Sequence, residues 1–349
     1  MVLVFGLRRP LAEPSVLVAL RERYPKARLV LTSTAGNFAG VEIEDSALVC
    51  TALRFDSATV RVSSARLTPG LALNELCRAL VSDLAGEALR HVLVFSDGGQ
   101  VNGSTLSEAF NEHLPKGVTL SGGLAGDGTD FTLTKVGLDS VPEPGVVVAV
   151  GLYGASLRIG FGIAGGWSSF GPIRKVTASQ ANVLHTLDGR PALEVYKAYL
   201  GAEAEGLPGA ALRFPLSVQP TGVGNATVRT ILSIDETSGS MTFAGDIPIG
   251  ATVRFMRASQ EDLIGGAEKA AEDAVQAAEL VLCVSCVGRR IVLGHRTEEE
   301  LEGVRAAFGS GPVLTGFYSY GELAPSGHAR TCQLHNQTMT VTSLSERAA

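Results

Sequence analysis

The residues best suited to hold a small molecule stand together in the stretch VLTGFYSYGE, Val313–Glu322. An apolar strand there runs into rings, a glycine and a carboxylate, which are Phe317, Tyr318, Tyr320, Gly321 and Glu322. In ligand pockets, apolar faces give the ligand area to bind, while hydroxyl, carboxylate and backbone groups fix its orientation. We interpret the stretch as a pocket wall. The alternative is a core strand that ends in a turn.

Polar residues elsewhere could orient a polar ligand. His335 and Asn336 interrupt an otherwise β-branched stretch near the end of the chain. His335 could contact a ligand, coordinate a haem iron or stabilise a turn, and the turn is the favoured interpretation. Asp97 and Asp127 each follow a strand and are flanked by glycine, so they could accept from a ligand amine or cap exposed amides. Capping is the commoner role of such aspartates.

Motifs for other chemistries lack their structural context. Gly160–Gly165 has the G-x-G-x-x-G spacing, but the glycines and proline that follow cannot form the helix that dinucleotide binding requires. Cys283, Cys286, Cys332 and His335 match the letters of a zinc site. Positions three apart on a strand face opposite sides, so we expect buried structural cysteines and no metal. No Ser/His/Asp set is recognisable from spacing, because triads are defined by geometry.

Composition predicts a cytosolic, globular protein. The 349 residues carry a net charge of −6 without a Lys/Arg cluster, which argues against nucleic acid or an anionic membrane as a partner. No apolar run reaches the roughly 18 residues of a membrane span. Five scattered cysteines do not resemble a disulfide framework. The length predicts about two domains, at about 150 residues each.

A recurring unit organises the chain: a strand is followed by a connection, usually helical, and then by a second strand that ends in glycines. It occurs from Val4 to Leu31, from Val94 to Leu120 and from Val284 to Leu314. If the three glycine-rich strand ends converge, they form the kind of edge where ligands bind. The alternative is that such units recur in any α/β protein without a shared site.

Convergence would bring further residues to the pocket of the aromatic stretch. Segments Thr34–Phe38 and Gly122–Asp127 end the other two copies. Glycines there would let the backbone approach a ligand closely. The candidates from these segments are Thr34, Gly36, Asn37, Phe38, Gly123, Ala125, Gly126 and Asp127.

The pattern predicts an α+β fold with two α/β halves. We expect mixed, antiparallel-rich sheets, recurring strand–helix–strand units and helices packed on the outer faces. Phe131–Val136, Val146–Tyr153 and Leu157–Ile163 are predicted to form an antiparallel meander. Gly201–Gly209 is the best linker candidate, which places the two domains at residues 1–200 and 201–349.

Several motifs together resemble one known family. TSTAGNFAG (Thr32–Gly40), SGGLAGDG (Ser121–Gly128) and DGRPALEVYKAYLG (Asp188–Gly201) resemble the N-terminal FIST domain. LVLCVSCVGRR (Leu280–Arg290) and GFYSYGELAP (Gly316–Pro325) resemble the C-terminal FIST domain. The resemblance follows the order of the chain and covers essentially all of it.

The resemblance implies an intracellular sensory module that binds small ligands such as amino acids and acts in signal transduction, without being an enzyme. Similar modules are fused to, or encoded near, histidine kinases and chemotaxis receptors. A subset of the family is similar to haem-binding nitric-oxide sensors. In this sequence we expect neither the family's usual helical segment before the first strand nor an output domain, and we therefore expect regulation through a partner such as a histidine kinase.

Three hypotheses follow. The first is a small-ligand sensor with an amino-acid-like ligand in the pocket of Tyr320. The second is a haem sensor that uses His335 or His295. The third is a small-molecule enzyme in the same pocket, which rests only on the closeness in sequence of Glu322, His335 and Cys332.

Overall fold

Strands and helices alternate throughout the part of the chain that this computed structural model describes, residues 1–222, 226–327 and 330–347. The strands of the first half are β1 (Val2–Gly6), β2 (Leu29–Ser33), β3 (Asn37–Ala39), β4 (Glu42–Ile43), β5 (Val49–Ala52), β6 (Thr59–Arg66), β7 (Leu89–Ser96), β8 (Thr119–Leu124), β9 (Val136–Leu138), β10 (Val146–Tyr153), β11 (Leu157–Ala164), β12 (Ser168–Gln180), β13 (Val183–Leu187) and β14 (Arg190–Pro191). Those of the second half are β15 (Leu216–Gln219), β16 (Thr227–Arg229), β17 (Ile231–Asp235), β18 (Ser240–Phe243), β19 (Thr252–Arg257), β20 (Leu280–Cys286), β21 (Val313–Ser319), β22 (Gly321–Ser326), β23 (Thr331–His335) and β24 (Met339–Glu346).

The α-helices are α1 (Arg8–Leu11), α2 (Pro14–Arg23), α3 (Leu73–Asp83), α4 (Gly103–His113), α5 (Ala192–Leu200), α6 (Gln260–Ala274), α7 (Val287–Leu293) and α8 (Thr297–Phe308). Short 3₁₀ helices occupy Gly201–Gly206, Gly209–Arg213 and Gly294–Arg296. Two helix starts show why the sequence folds this way. Asn102 caps α4 by accepting from the amides of Ser104 and Thr105, and Ser259 forms a capping box with Asp262 at α6.

The described strands form four sheets. The first sheet has the order β5-β1-β2-β9, the second β23-β22-β8-β7-β10-β6 and the third β11-β24-β20-β21-β3-β4. The fourth has the order β16-β15-β19-β12-β13-β18-β17, with β14 on β13. The pairs β1–β2, β7–β8 and β20–β21 are parallel, and the other described pairs named in these sheets are antiparallel. Helix and strand contents of 27% and 40% in mixed sheets confirm the predicted α+β class.

The three sequence repeats are the three parallel strand pairs, one in each of the first three sheets. Facing residues in these pairs are Val4 and Leu31, Val92 and Leu120, and Val281 and Leu314. Because parallel strands require a crossover, each pair encloses helices that pack on the outer face of its sheet. α3 and α4 cover the second sheet, and α6 and α8 cover the third.

The inner faces of the first three sheets pack against one another. At the centre lie Phe5, Phe95 and Phe317, one from each repeat, with ring centroids 5.9, 4.8 and 6.2 Å apart in the three pairs. Each such aromatic pair adds about 0.5–1.5 kcal/mol beyond area burial. Phe317 is fully buried here, so it belongs to the core and not to a pocket wall.

The two halves of the sequence interlock through shared sheets. From the end of the chain, β22 extends the second sheet by pairing with β8, and β23 pairs with β22. From the beginning of the chain, β3 extends the third sheet by pairing with β21, and β4 pairs with β3. The fourth sheet likewise combines β12 and β13 with β15–β19. The sheets are therefore continuous across residue 200, where the sequence suggests a linker.

The predicted meander is wrong. Val146–Tyr153 and Leu157–Ala164 are strands, but β10 belongs to the second sheet and β11 to the third. β11 pairs with β24 at the end of the chain, and local patterning cannot reveal a partner so distant in sequence. Phe131–Thr134 is a loop, because its amides bind Asp127 and do not join a ladder. Within the described residues, no helix has both the length and the apolar composition to cross a membrane.

Candidate functional site

The glycine-rich ends of all three repeats meet in space. The amide of Ala35 donates to the carbonyl of Tyr318 at 2.8 Å, and the amide of Tyr318 donates to the carbonyl of Gly36 at 2.8 Å. The amide of Tyr320 donates to the carbonyl of Leu124 at 3.2 Å. The convergence that the repeat predicts is therefore present in the backbone hydrogen bonds.

Glycines at this junction serve close packing between the strand ends. A Cβ atom on Gly126 would lie 2.7 Å from the amide nitrogen of Ala35. One on Gly123 would lie 2.7 Å from Cγ1 of Val284. Most predicted site residues are buried, and they line neither of the two cavities at the strand ends that are described below. They are Thr34, Gly36, Asn37, Phe38, Gly123, Ala125, Gly126, Asp127, Phe317, Tyr318, Gly321, Glu322, His335 and Asn336.

The Tyr318 hydroxyl belongs to a buried ionic network. It donates to Oε1 of Glu300 at 2.8 Å, and Oε2 of Glu300 accepts from Arg289 at 2.8 Å. Both charged side chains are completely buried. Arg289 also donates to the carbonyls of Gly165 and Leu263, which satisfies the guanidinium. The network joins β21, α7 and α8, and Tyr318 lines neither of the two cavities at the strand ends.

Glu322 is likewise enclosed. Its carboxylate accepts from the hydroxyl of Ser319 at 2.6 Å and from the hydroxyl and amide of Thr338 at 2.9 and 3.2 Å. Burial raises the pKa of Glu322 to about 8, although these hydrogen bonds oppose the rise. Glu322 and His335 lie opposite each other on β22 and β23, but Cys332 pairs with Pro325 further along. The three residues do not assemble a catalytic set.

Asp127 caps backbone amides, the commoner of its two predicted roles. Its Oδ2 accepts from the amides of Thr132 and Leu133 at 3.0 and 2.7 Å, and Oδ1 accepts from the hydroxyl of Tyr320. Burial would raise the pKa of Asp127, but the hydrogen bonds outweigh it and hold the pKa below its usual value. The carboxylate thus ties Tyr320 to the loop that contains Phe131. Asp97 caps in the same manner.

One cavity of about 670 Å³ opens beside Tyr320. It lies between the strand ends of the second and third sheets and the face of the fourth sheet. Its first wall is formed by the loop Gly98–Gly103 after β7, by Phe131–Thr134 and by Cys286–Gly288 after β20. The facing wall includes Ile231 and Phe243 of the fourth sheet. We call it the central cavity.

The central cavity combines apolar walls with one unsatisfied hydroxyl. Thr230 is 4% exposed and lines the cavity, and its Oγ1 has no hydrogen-bond partner among the described residues. A buried polar group without a partner costs about 1–3 kcal/mol. The exposed rings and side chains of Phe131 and Leu232, each 46% exposed, also line it. A small molecule in the cavity would gain apolar area, and one that reaches the Thr230 hydroxyl would also supply its missing hydrogen bond.

The Cys286 thiol is the strongest potential nucleophile among the described side chains at the central cavity, but its environment does not favour the reactive thiolate. Its sulfur accepts from the amide of Gly288, at the start of α7, and from the amide of Gln337, between β23 and β24. Burial nevertheless raises the pKa of the thiol well above its ordinary value. Cys286 therefore contributes a neutral thiol to the cavity wall and does not act as a nucleophile.

A second cleft, of about 710 Å³, lies on the other side of the strand ends and carries charge. Arg290 lines it, forms a salt bridge with Asp45 and donates to the carbonyl of Ala35 at 2.7 Å. His295 and Glu298 also line this charged cleft. The Arg290 guanidinium stands over the ring of Tyr318, 5.3 Å from its centroid.

His335 lies apart from both cavities, in a cleft of about 380 Å³. Its Nε2 is buried without a partner among the described residues, which is one requirement for an iron ligand. Burial and the nearby Arg229 lower the pKa of His335 to about 4. Among the described lining residues, Asp273 is the charged side chain, and it would repel the propionates of haem. The surroundings of His335 therefore do not fit haem.

Within the described residues, no group of three or more His, Cys, Asp or Glu side chains is placed to hold a metal ion.

Among the predicted site residues, Tyr320 lines the central cavity, and most of the other lining residues were not predicted. Thr242 lies on β18, and Thr230 and Gly245 lie just outside the strands of the fourth sheet; nothing in their local sequence marks a site. One sequence feature could have indicated the cavity, namely the turn Ser96–Gly103. Its paired glycines follow a buried strand, as do the glycines that end the three repeats.

The converging strand ends thus border a cavity that opens beside Tyr320. The chain belongs to the FIST family: it matches the FIST N domain over residues 1–190 and the FIST C domain over residues 192–325. FIST domains are sensory domains that bind small ligands in signal transduction.

Two similar curated proteins come from Mycobacterium tuberculosis. They are Uncharacterized protein MT0656 of strain CDC 1551 / Oshkosh and Uncharacterized protein Rv0628c of strain ATCC 25618 / H37Rv. Each is 26% identical to this chain over 249 residues, which is 68% of this chain. The aligned part spans 64% of the length of these curated relatives.

Proposed function

We propose that the chain is a small-ligand sensor and that its ligand binds in the central cavity. The observation that carries the proposal is that Thr230, whose buried hydroxyl has no partner among the described residues, lines a largely apolar cavity of about 670 Å³. Small-molecule sites have volumes of roughly 300–1,000 Å³, apolar walls and a few polar groups. The ends of β7 and β20 supply the edge at which ligands of such sheets commonly bind.

The walls of the central cavity come from both FIST domains, which supports a sensory role. Gly98–Gly103 and Phe131–Thr134 lie within the FIST N match, whereas Thr230 and Cys286–Gly288 lie within the FIST C match. A ligand that touches both parts acts on the packing between them. To make a rare conformation dominant, it must prefer that conformation by about 5 kcal/mol. We expect the output to pass to a partner protein such as a histidine kinase.

A non-enzymatic role is supported by the same geometry. Cys286 is a neutral thiol, and Asp127 is engaged with the amides of its own loop. Glu322 and His335 do not reach the central cavity. A catalytic function would need an activated group there, and none of the described lining side chains meets that requirement.

Filling the central cavity tests the proposal. Gly209 lines it, and a Cβ atom added to Gly209 meets nothing within 4 Å. Gly209→Leu should fold normally and lose the increase in Tm that a metabolite screen produces in the wild-type protein. Gly311→Leu is the matched control, because a Cβ atom on Gly311 also meets nothing and Gly311 lies outside the cavity. Stabilisation that persists in Gly209→Leu would place the ligand elsewhere.

A further inference from the structure

We infer that the ligand of the central cavity is uncharged and offers a hydrogen-bonding group, as an amide, lactam or alcohol does. This inference rests on the proposed function and narrows its ligand class. It differs from the amino-acid-like ligand that the family resemblance implies, because a free amino acid carries two full charges at neutral pH.

The charge of the cavity wall carries the inference. Among the described residues that line the central cavity there is no Asp, Glu, Lys, Arg or His. A charged ligand group entering such a site would lose its hydration without gaining an ion pair. The charged cleft beside it, with Arg290, His295 and Glu298, shows that the fold does supply ionic side chains at the strand ends, but on the other side.

The carboxylates on the loops of the cavity wall, Asp97, Asp127, Asp130 and Asp246, already have partners. Asp130 pairs with Arg8, and Oδ1 of Asp246 accepts from Nδ2 of Asn102 at 3.0 Å. Oδ1 of Asp97 accepts from the wall amides of Gly99 and Gln100 at 2.9 and 2.5 Å. Asp127 accepts from the wall amides of Thr132 and Leu133. Each of these four carboxylates is therefore already engaged, so none of them is available as the counterion of a ligand ammonium group.

The available polar contact is neutral. The Thr230 hydroxyl can donate one hydrogen bond and accept others, and it has no partner among the described residues. Next to it lies Ile231, and Leu124 and Phe243 also line the cavity. A neutral molecule with one amide or hydroxyl group and an apolar body matches both features.

Pairs of neutral and charged fragments test whether the ligand is charged independently of whether the central cavity is the binding site. The probes are primary amides against the corresponding carboxylic acids, and alcohols against the corresponding amines, each tested by ligand-observed NMR. A hit is assigned to the central cavity when Gly209→Leu abolishes it and Gly311→Leu retains it. We expect the cavity-dependent hits to be the amides and alcohols.

A second variant tests the hydroxyl. Thr230→Val keeps the shape of the side chain and should leave Tm unchanged or higher, because it removes an unsatisfied polar group. We expect it to weaken the cavity-dependent amides and alcohols at least tenfold. Unchanged affinity would overturn the role of Thr230 in recognition.

The remaining outcomes are distinguishable. Cavity-dependent hits that are acids or amines would overturn the uncharged class and leave the proposed site intact. Acids or amines that survive Gly209→Leu and disappear in Arg290→Gln would place the ligand in the charged cleft and overturn both proposals. The absence of any cavity-dependent hit would overturn the proposed site itself.

Discussion

The ring of Phe131 stacks on the ring of Tyr320, with centroids 4.7 Å apart and planes inclined by 18°. The two residues are distant in sequence, and the Tyr320 hydroxyl also accepts from the amide of Phe131 at 3.2 Å. Phe131 has a positive φ of 52°, an uncommon conformation for a bulky residue. The stack therefore holds a strained loop over the wall of the central cavity.

Tyr320→Phe separates the two interactions that hold this loop. The substitution keeps the stack and removes the hydrogen bond to Asp127, which leaves a buried carboxylate without one donor. We expect a loss of about 1–3 kcal/mol in unfolding free energy. Hydrogen exchange should accelerate at residues 127–134 and not in β20. Phe131→Ala removes the stack instead, at a cost of about 0.5–1.5 kcal/mol. Equal exchange in wild type and Tyr320→Phe would show that Asp127 holds the loop without Tyr320.

The strand junction should be intolerant of a single methyl group. Gly126→Ala places a Cβ atom 2.7 Å from the backbone nitrogen of Ala35 and 2.9 Å from its Cβ, and backbone cannot move aside as a flexible side chain can. We expect a loss of about 1–3 kcal/mol from overpacking, measured by urea unfolding.

Gly265→Ala is the control for the junction variant. Gly265 lies inside α6, and a Cβ atom there meets nothing within 4 Å. Since alanine is the better helix former, this variant should gain up to about 1 kcal/mol. A Gly126→Ala variant as stable as Gly265→Ala would mean that the strand ends pack more loosely than the structure shows.

Glu322 should make the protein less stable as pH rises through neutrality. Burial raises the pKa of Glu322 in the folded state to about 8, from an ordinary value of 4.5, so the folded protein retains a proton that the unfolded chain releases. The stabilisation is complete below pH 4.5 and is lost as pH rises to 8. The slope is about 1.4 kcal/mol per pH unit within this window.

Two buried histidines limit the pH range in which the effect of Glu322 can be measured alone. Burial lowers the pKa of His91 to about 3 and that of His335 to about 4, so their neutral forms stabilise the fold above pH 6.5 and the benefit declines as pH falls. Between pH 6.5 and 8, Glu322 acts without that opposing change. Urea midpoints should fall over this range in wild type and stay flatter in Glu322→Gln. Parallel profiles would show that Glu322 is ionised in the folded protein.

Local sequence was sufficient for features set by neighbours along the chain. The glycine-terminated strands and the capping role of Asp127 both depend on nearby residues. The convergence of strand ends followed from the repeat, because parallel pairs bring equivalent ends to equivalent places.

Two features could not be predicted from local sequence because tertiary structure decides them. They are which face of each strand is buried and which residues form the opposite wall of the cavity. Phe317 and Tyr320 stand three residues apart in one aromatic run, yet the first lies where three sheets meet and the second lines the cavity. Their types are nearly the same, so composition could not separate them. Thr230 reaches the site only because the fourth sheet covers the strand ends, and pairing between distant strands decides that arrangement.

The buried pair of Arg289 and Glu300 provides the sharpest test of the core around Tyr318. Arg289→Met leaves the Glu300 carboxylate without its cation in a fully buried position. We expect a loss of about 3–5 kcal/mol, since breaking one partner of a buried pair strands the other charge. Combining it with Glu300→Leu should cost less than the sum of the single variants, because no charge then remains unpaired.

Tyr318→Phe completes this cycle. Its hydroxyl donates to Glu300, so removing it in the wild-type background should cost about 1–2 kcal/mol, whereas in the Arg289→Met, Glu300→Leu background the cost should fall towards zero. Unfolding free energies from urea titrations give all the terms. A Tyr318→Phe cost that is the same in both backgrounds would contradict a network role for the hydroxyl, since only the Glu300 carboxylate differs at its acceptor.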